Sequence, residues 1–333
     1  MKRFLNFFIK CAAVTGGAIL ILILLNNRYK QVMEDPYSDT HKFDYMNSTY
    51  TKIQICNVGS SHGEADFNYE SLSKKYGFEC FNFAMSSQTY NYDYALLNMY
   101  QDHFAEDCIL FIPVSYFSFN NEVTNETEAE SLNAKYYTFV SPKYIPDYDP
   151  YVDIVTHYFP ILSAGEDIVK IFPSLSLKAF AAEANVPSAE EFQEKAANRY
   201  SRHMDNKDNY FLEERIGDLY DILQFCDEKG ITAVLIAPPY TSYYSDLFSQ
   251  EFKDEFYGRV TAISSETGVP FYNFSEDERF AGELEYFADA DHLNDTGAVY
   301  FMEVLENDLP EFQKFLENIK SNEPGDASWT PGT

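Results

Sequence analysis

The sequence predicts a three-layer α/β/α sandwich built on a mainly parallel five-stranded sheet and preceded by one transmembrane helix. Three observations predict it. After residue 52, short apolar runs alternate with segments of helical periodicity, the pattern that produces right-handed strand–helix–strand crossovers. One of those runs, Cys108–Val114 (C-I-L-F-I-P-V), is apolar almost throughout, as a central parallel strand covered on both faces must be. The first 25 residues, finally, hold an apolar stretch of bilayer-spanning length.

That stretch runs from Phe4 to Leu25 and is interrupted only by Asn6, Lys10 and Thr15. It spans a bilayer if Lys10 snorkels to the interface. A charged start followed by an apolar run also suits a cleaved signal peptide. Asn26-Asn27-Arg28-Tyr29-Lys30 follows Leu25, however, in place of a small-x-small cleavage pattern, which favours an uncleaved anchor over residues 1–25. Lys2, Arg3 and Lys10 precede the span and Arg28 and Lys30 follow it. With the amino terminus, this bias puts the N-terminus in the cytoplasm and the folded part outside, as in a single-pass protein of the cell membrane. Residues 26–51 lack clear periodicity and read as a juxtamembrane stalk, able to extend at most ~90 Å.

The elements then follow in order. Lys52–Val58 is the first strand and Glu64–Tyr76 a helix ending at Gly77. Glu79–Ala84 is a short second strand. Tyr90–Phe104, with Tyr94, Leu97 and Tyr100 at three-residue spacing, is a helix leading to the third strand, Cys108–Val114. The alternation lapses over about 118–205, which is rich in proline, acidic and aromatic residues and carries only short helical patterns; it reads as an insertion at the carboxyl edge of the third strand. Its tyrosines, Tyr136, Tyr137, Tyr144, Tyr148 and Tyr151, suit either sugar stacking or packing within the insertion. Order returns with a helix over Asn209–Glu228, a strand at Ile231–Ala237, a helix over about Asp246–Thr267, a last strand at Val269–Phe274, and a final helix over about Asp295–Phe315, capped by Asn294 or Asp295. The domain so delimited spans 52–320, and residues 321–333 read as a disordered tail.

Charge narrows the function. The first thirty residues contain five basic residues and no acidic ones; removing those five leaves 19 basic against 53 acidic, a formal charge of −34. Such a field repels nucleic acid, so no nucleic-acid partner is expected. The five cysteines show no C-x-x-C spacing, and the four beyond Cys11 fall in predicted strands or helices, where free cysteine acts as a small hydrophobe. No metal site and no cofactor are expected.

The chemistry is expected at Gly59-Ser60-Ser61-His62-Gly63, a turn between the first strand and the following helix. In an open parallel sheet such a turn lies at the crevice where ligands bind. A serine there becomes a nucleophile only with a base. Asp289-Ala-Asp-His292, between the last strand and the last helix, offers one: a carboxylate three residues before a histidine can bond Nδ1–H and leave Nε2 for a serine hydroxyl. Asp291, adjacent in sequence, points elsewhere in most loop conformations, so Asp289 is the expected orienter. His62 suits either a substrate contact beside the nucleophile or a helix-start residue facing solvent. Pro238-Pro239-Tyr240 suits either a cleft wall or a plain loop stop.

Gly59-Ser60-Ser61-His62-Gly63, Asn82-Phe-Ala84-Met-Ser86 and Asp289-x-x-His292 together resemble three sequence blocks of the SGNH/GDSL hydrolase superfamily. Its flavodoxin-like fold is the sandwich expected above. G-S-S in place of G-D-S, with the N-terminal anchor, is most similar to the membrane-tethered branch that includes the D-alanyl-lipoteichoic acid transfer protein and the alginate acetylation proteins. The resemblance covers most of about 52–310, apart from the insertion. It implies Ser61 as nucleophile in preference to Ser60, His292 as general base and Asp289 as its orienter. It further implies an oxyanion hole formed by the backbone amides of Ser61 and Ala84, the latter in place of the usual glycine. The asparagine usual after the third strand is missing from Pro113-Val-Ser115-Tyr-Phe-Ser118, where Ser115 lies nearest by register and Asn120 further on. His62, Ser86 and Tyr240 are the candidate substrate contacts.

The implied function is a membrane-anchored serine acyltransferase or esterase acting on acyl esters of a cell-envelope polysaccharide or polymer. A multispanning membrane acyltransferase is a candidate partner. The absent asparagine and the tyrosine-rich insertion leave open a catalytically inactive glycan-binding or scaffold protein on the same fold.

Overall fold

The computed structural model describes residues 2–33, 42–49, 51–120, 135–146, 148–151, 153–172, 188–204 and 209–322. The expected disordered tail lies, from residue 323 onward, outside the described residues. The chain divides into two compact units, Tyr50–Glu122 with Ala184–Thr333, and Met1–Thr49 with Val123–Glu183.

The larger unit holds five parallel strands: β1 (Ile53–Asn57), β2 (Cys80–Asn82), β3 (Phe104–Pro113), β4 (Thr232–Ala237) and β5 (Phe271–Asn273), in the order β2-β1-β3-β4-β5. The chain leaves β1 for β2 on one side and returns to β3 on the other. The carboxyl ends of β1 and β3 therefore flank the crevice that this topology creates. Ile55, Ile109, Phe111, Val234 and Ile236 pack in one core with Phe301, Met302, Leu305 and Phe312. These last four belong to α11 (Asp295–Asp308) and α12 (Pro310–Asn322). The alternate strand residues Cys56, Leu110 and Leu235, also buried, point to the opposite face. There α5 (Tyr90–Met99) and α8 (Glu213–Lys229) pack on one another.

Three expected helix boundaries shift for a local reason, and one regular helix stands where none was expected. The first helix divides into α3 (Ser61–Asp66) and α4 (Glu70–Tyr76), because Phe67 is extended and Asn68 Oδ1 accepts the Glu70 amide at 3.0 Å, starting a new helix. The second helix stops at Met99, since Phe104 pairs with Ile53 and opens β3. The last helix breaks at Leu309, which precedes Pro310 and takes the extended backbone that proline imposes on its neighbour. Within the stretch expected to be irregular lies α7 (Ala189–Met204), a regular sixteen-residue helix. Of the two expected caps for α11, Asn294 serves, accepting the Gly297 amide at 3.0 Å. The remaining helices of this unit are α9 (Ser242–Ser245) and α10 (Gln250–Thr267).

The smaller unit contains α1 (Lys2–Met33), α2 (Lys42–Ser48) and α6 (Ile154–Tyr158), with 3₁₀ turns at Pro160–Ser163 and Gly165–Ile171. By length and composition α1 can cross a membrane: its apolar window has mean hydropathy 2.4, and none of that window is buried. The helix continues beyond Leu25 to Met33, through residues expected to begin a stalk. Phe43 of α2 stacks on Phe139 with ring centroids 4.3 Å apart. Tyr136 is buried and Tyr151 fully open.

Candidate active site

The site is built on the turn after β1. Gly59 adopts φ +118°, and a Cβ there would also meet the Pro113 ring at 3.3 Å. Glycine alone suits both conditions. The Gly59 amide donates to Asp93 Oδ1 at 2.8 Å, and its carbonyl accepts the Met85 amide at 3.1 Å, which ties the turns after β1 and β2 together. Gly63 is closer still: a Cβ would lie 2.5 Å from the Val58 carbonyl and 2.7 Å from Ala84 Cβ. The start of α3 is held by Asn57, whose Nδ2 donates to the Gly63 carbonyl at 2.8 Å while its Oδ1 accepts the Tyr69 hydroxyl at 2.9 Å.

These bonds leave Ser61, half-buried, at the first position of α3. Its Oγ lies 2.8 Å from His292 Nε2. His292 Nδ1 lies 2.9 Å from Asp289 Oδ1, which also accepts the backbone amides of Asp291 and His292 at 3.1 and 3.0 Å. The three side chains expected from sequence thus form one continuous hydrogen-bonded line. A carboxylate bonded to Nδ1–H leaves Nε2 as acceptor, so the Ser61 hydroxyl donates to it. The Ser61 amide is a first-turn N–H, which an α-helix leaves without an internal partner.

Arg199, on α7, is the member that sequence reading missed. Its NH2 donates to Asp289 Oδ2 at 3.0 Å and its Nε pairs with Asp291 Oδ1 at 3.0 Å. Burial raises the Asp289 carboxyl, but the hydrogen bond and charge of His292, together with Arg199, outweigh it and hold Asp289 well below the usual carboxylate range. Burial dominates at Asp291, which is pushed up to about 6 despite His292 and Arg199. The one available signal was the basic run on α7, Lys195, Arg199 and Arg202 at helical spacing.

Five of the expected site residues are placed otherwise than expected. His62 neither faces solvent nor lies open to substrate: it is fully buried, with Nε2 3.2 Å from Asp291 Oδ2 and Nδ1 2.6 Å from Ser115 Oγ. Burial and the nearby Arg199 charge lower it to about 3, so it is neutral at physiological pH. With its Nε2–H donated to ionised Asp291, Nδ1 accepts the Ser115 hydroxyl. That proton is then engaged by His62. The Ala84 amide donates to Asn82 Oδ1 at 3.0 Å, closing a side-chain turn where an oxyanion donor was expected. Tyr240 is buried beside His62, ring centroids 5.3 Å apart. Asn120, the more distant candidate, donates to the His203 carbonyl at 3.0 Å. Ser86 is exposed on the turn after β2.

Two open grooves flank the loop that carries Asp289 and His292. One, of about 510 Å³, is lined by Glu64, Asn68, Tyr69, Leu293 and Asn294 among others. The other, of about 420 Å³, is lined by Lys195, Asn198, Arg199, Arg202 and Ala288–Asp291. His62, Asp291 and His292 also bring three possible metal-ligand atoms within 4.8 Å. The Arg199 guanidinium already occupies the carboxylate side of that cluster, so a second cation there meets direct repulsion.

A five-stranded parallel sheet with a serine after its first strand and an aspartate–histidine pair before a late helix resembles the SGNH hydrolases. Residues 189–307, about a third of the chain, match the family described as DltD protein; the match includes Arg199, Asp289 and His292 and stops short of Ser61. The search of curated proteins finds no match. Among solved structures, one provisionally described as a platelet activating factor from Streptococcus pneumonia is 12% identical, with TM-score 0.39, over 88% of this chain and 98% of its own. Another, provisionally described as an acylhydrolase from Bacteroides fragilis, is 10% identical, with TM-score 0.40, over 86% of this chain and 100% of its own. Both likenesses are weak.

Proposed function

We propose that the chain is a membrane-anchored, extracytoplasmic serine acyl-transfer enzyme acting on acyl esters of a cell-envelope polysaccharide or polymer. The observation that carries this reading is the line Ser61–His292–Asp289, with both hydrogen bonds at 2.8–2.9 Å. Ser61 Oγ attacks the acyl carbonyl as its proton passes to His292 Nε2. The tetrahedral oxyanion accepts from the Ser61 amide. Collapse returns that proton from His292 to the departing alkoxide and leaves an acyl-enzyme. A sugar hydroxyl or water then gives its proton to His292, attacks the acyl carbon, and releases Ser61 with the proton restored.

The acceptor decides between transferase and esterase. Anchoring through residues 1–25, the N-terminus inside, a domain over 52–320 and acyl delivery by a multispanning membrane acyltransferase belong to the same reading. They are supported by the span-length apolar helix, by the charge bias around it and by the match to the DltD family. Purified full-length protein in detergent, given an activated ester, should release the alcohol, and added glycan acceptor should divert acyl groups from water to sugar. Release unchanged in Ser61→Ala contradicts the mechanism; hydrolysis with no gain from acceptor reduces the function to that of an esterase.

The inward-turned Ser115 hydroxyl and the occupied Ala84 amide favour a second reading, a non-catalytic glycan-binding or scaffold protein. Glycan binding that survives Ser61→Ala, without turnover by the wild type, selects it.

A further inference from the structure

Apolar side chains crowd the surface of the smaller unit between Val155 and Phe172. Val155, Tyr158, Leu162, Ile168, Val169 and Phe172 are each between 42% and 62% exposed, unusual for neighbouring large hydrophobes on a solvated surface. The same segment packs on α1. Its Ile161, Ala164 and Ile171 form a buried cluster with Tyr29, and Leu22 packs against that cluster. Asn26, itself buried, donates from Nδ2 to the Tyr158 carbonyl at 3.0 Å and accepts the Ile161 amide on Oδ1 at 3.4 Å.

Depth follows from helix geometry. Leu22 lies inside the apolar run that ends at Leu25, and Tyr29 lies four residues past that end, about 6 Å further along the axis at 1.5 Å per residue. The segment thus grips α1 across the level where hydrocarbon gives way to headgroups, the zone that tyrosine favours. Backbone so placed must satisfy its polar groups internally. Helical turns at Ile154–Tyr158, Pro160–Ser163 and Gly165–Ile171 do so, with the Asn26 amide serving the break between the first two.

We propose that residues 154–172 form a membrane-interfacial platform, their exposed apolar side chains inserted at the headgroup–acyl boundary of the bilayer that α1 crosses, at its C-terminal end. The occupant is lipid because the patch is continuous with a lipid-facing helix at the same depth. The strongly acidic chain gains nothing from anionic headgroups, so insertion is apolar and proceeds on zwitterionic lipid.

The test uses full-length protein reconstituted at high dilution in phosphatidylcholine vesicles. Trp329 is the only tryptophan, so Trp329→Phe provides a silent background. Leu162→Trp, Val169→Trp and Phe172→Trp are then introduced singly. Each should emit to the blue and lose most of its emission when the vesicles carry phosphatidylcholine brominated on its acyl chains. Adding Leu162→Asp and Val169→Asp to the Phe172→Trp protein should abolish that quenching. Red emission untouched by bromolipid in all three proteins overturns the proposal. Blue emission without bromolipid quenching overturns it too, because protein then covers the patch. Equal quenching in the doubly charged protein does the same.

Discussion

Arg199 holds Asp289 and Asp291 together and stands beside His292, so its loss should be felt in turnover. Charge-assisted hydrogen bonds contribute about 1.5–3 kcal/mol. Arg199→Met should therefore lower kcat/KM for ester cleavage by about 10- to 100-fold, at roughly 1.4 kcal/mol per tenfold, with partial rescue in Arg199→Lys; steady-state kinetics checks this, and an unchanged kcat/KM removes Arg199 from the account. The same guanidinium disfavours a metal between His62, Asp291 and His292. Activity should persist in excess EDTA, and its loss on chelation with recovery on adding zinc would show the opposite. The grouping of Ser61, Asp289 and His292 was legible because each stands in a short motif at a predictable edge of the sheet. Arg199 was not, since nothing in a helix of charged residues says which one faces a loop ninety positions away. Nor was the burial of His62 and Tyr240 legible: their motifs place them near the nucleophile, while tertiary packing decides whether they face inward.

At the scale of elements, the turn between β1 and α3 depends on close backbone approach. A methyl group at position 63 meets the Val58 carbonyl and Ala84 Cβ, so Gly63→Ala should destabilise the protein by about 1–3 kcal/mol, the usual cost of overpacking; urea midpoints measure it, and an unshifted midpoint means the turn yields freely. Beneath that turn Asp93 is fully buried, and burial pushes its carboxyl up to about 7 although the Gly59 amide and Gln88 oppose the rise. A carboxyl near 4 when unfolded and near 7 when folded binds its proton more tightly in the native state. Its contribution is therefore fully present below about pH 4 and is lost as pH rises through about 7. Asp93→Asn, which keeps an acceptor for the Gly59 amide, should remove that part of the pH dependence: its midpoint should gain on wild type between pH 4.5 and 7.5. A constant difference between the two proteins contradicts the assignment. β3 and β4 were readable from their nearly continuous apolar runs. The breaks at Phe67–Tyr69 and Leu309 were less so, because both lie inside stretches whose helical periodicity carries on across them.

For the whole molecule, the sheet order and the late aspartate–histidine loop bring residues 61, 289 and 292 together from opposite ends of the larger unit. The apolar N-terminal helix was legible by length alone, whereas its continuation to Met33 required contacts with residues more than a hundred positions away. Anchoring through α1 predicts that alkaline carbonate leaves the protein in the membrane pellet and that detergent releases it; release by carbonate alone contradicts an integral anchor. The central claim, that Ser61 is a nucleophile activated by His292, is tested most directly by fluorophosphonate labelling of the folded full-length protein followed by mapping of the modified peptide. One adduct is expected, on Ser61, lost in Ser61→Ala and strongly reduced in His292→Ala. Equal labelling of wild type and Ser61→Ala, or no labelling of the wild type, would contradict it.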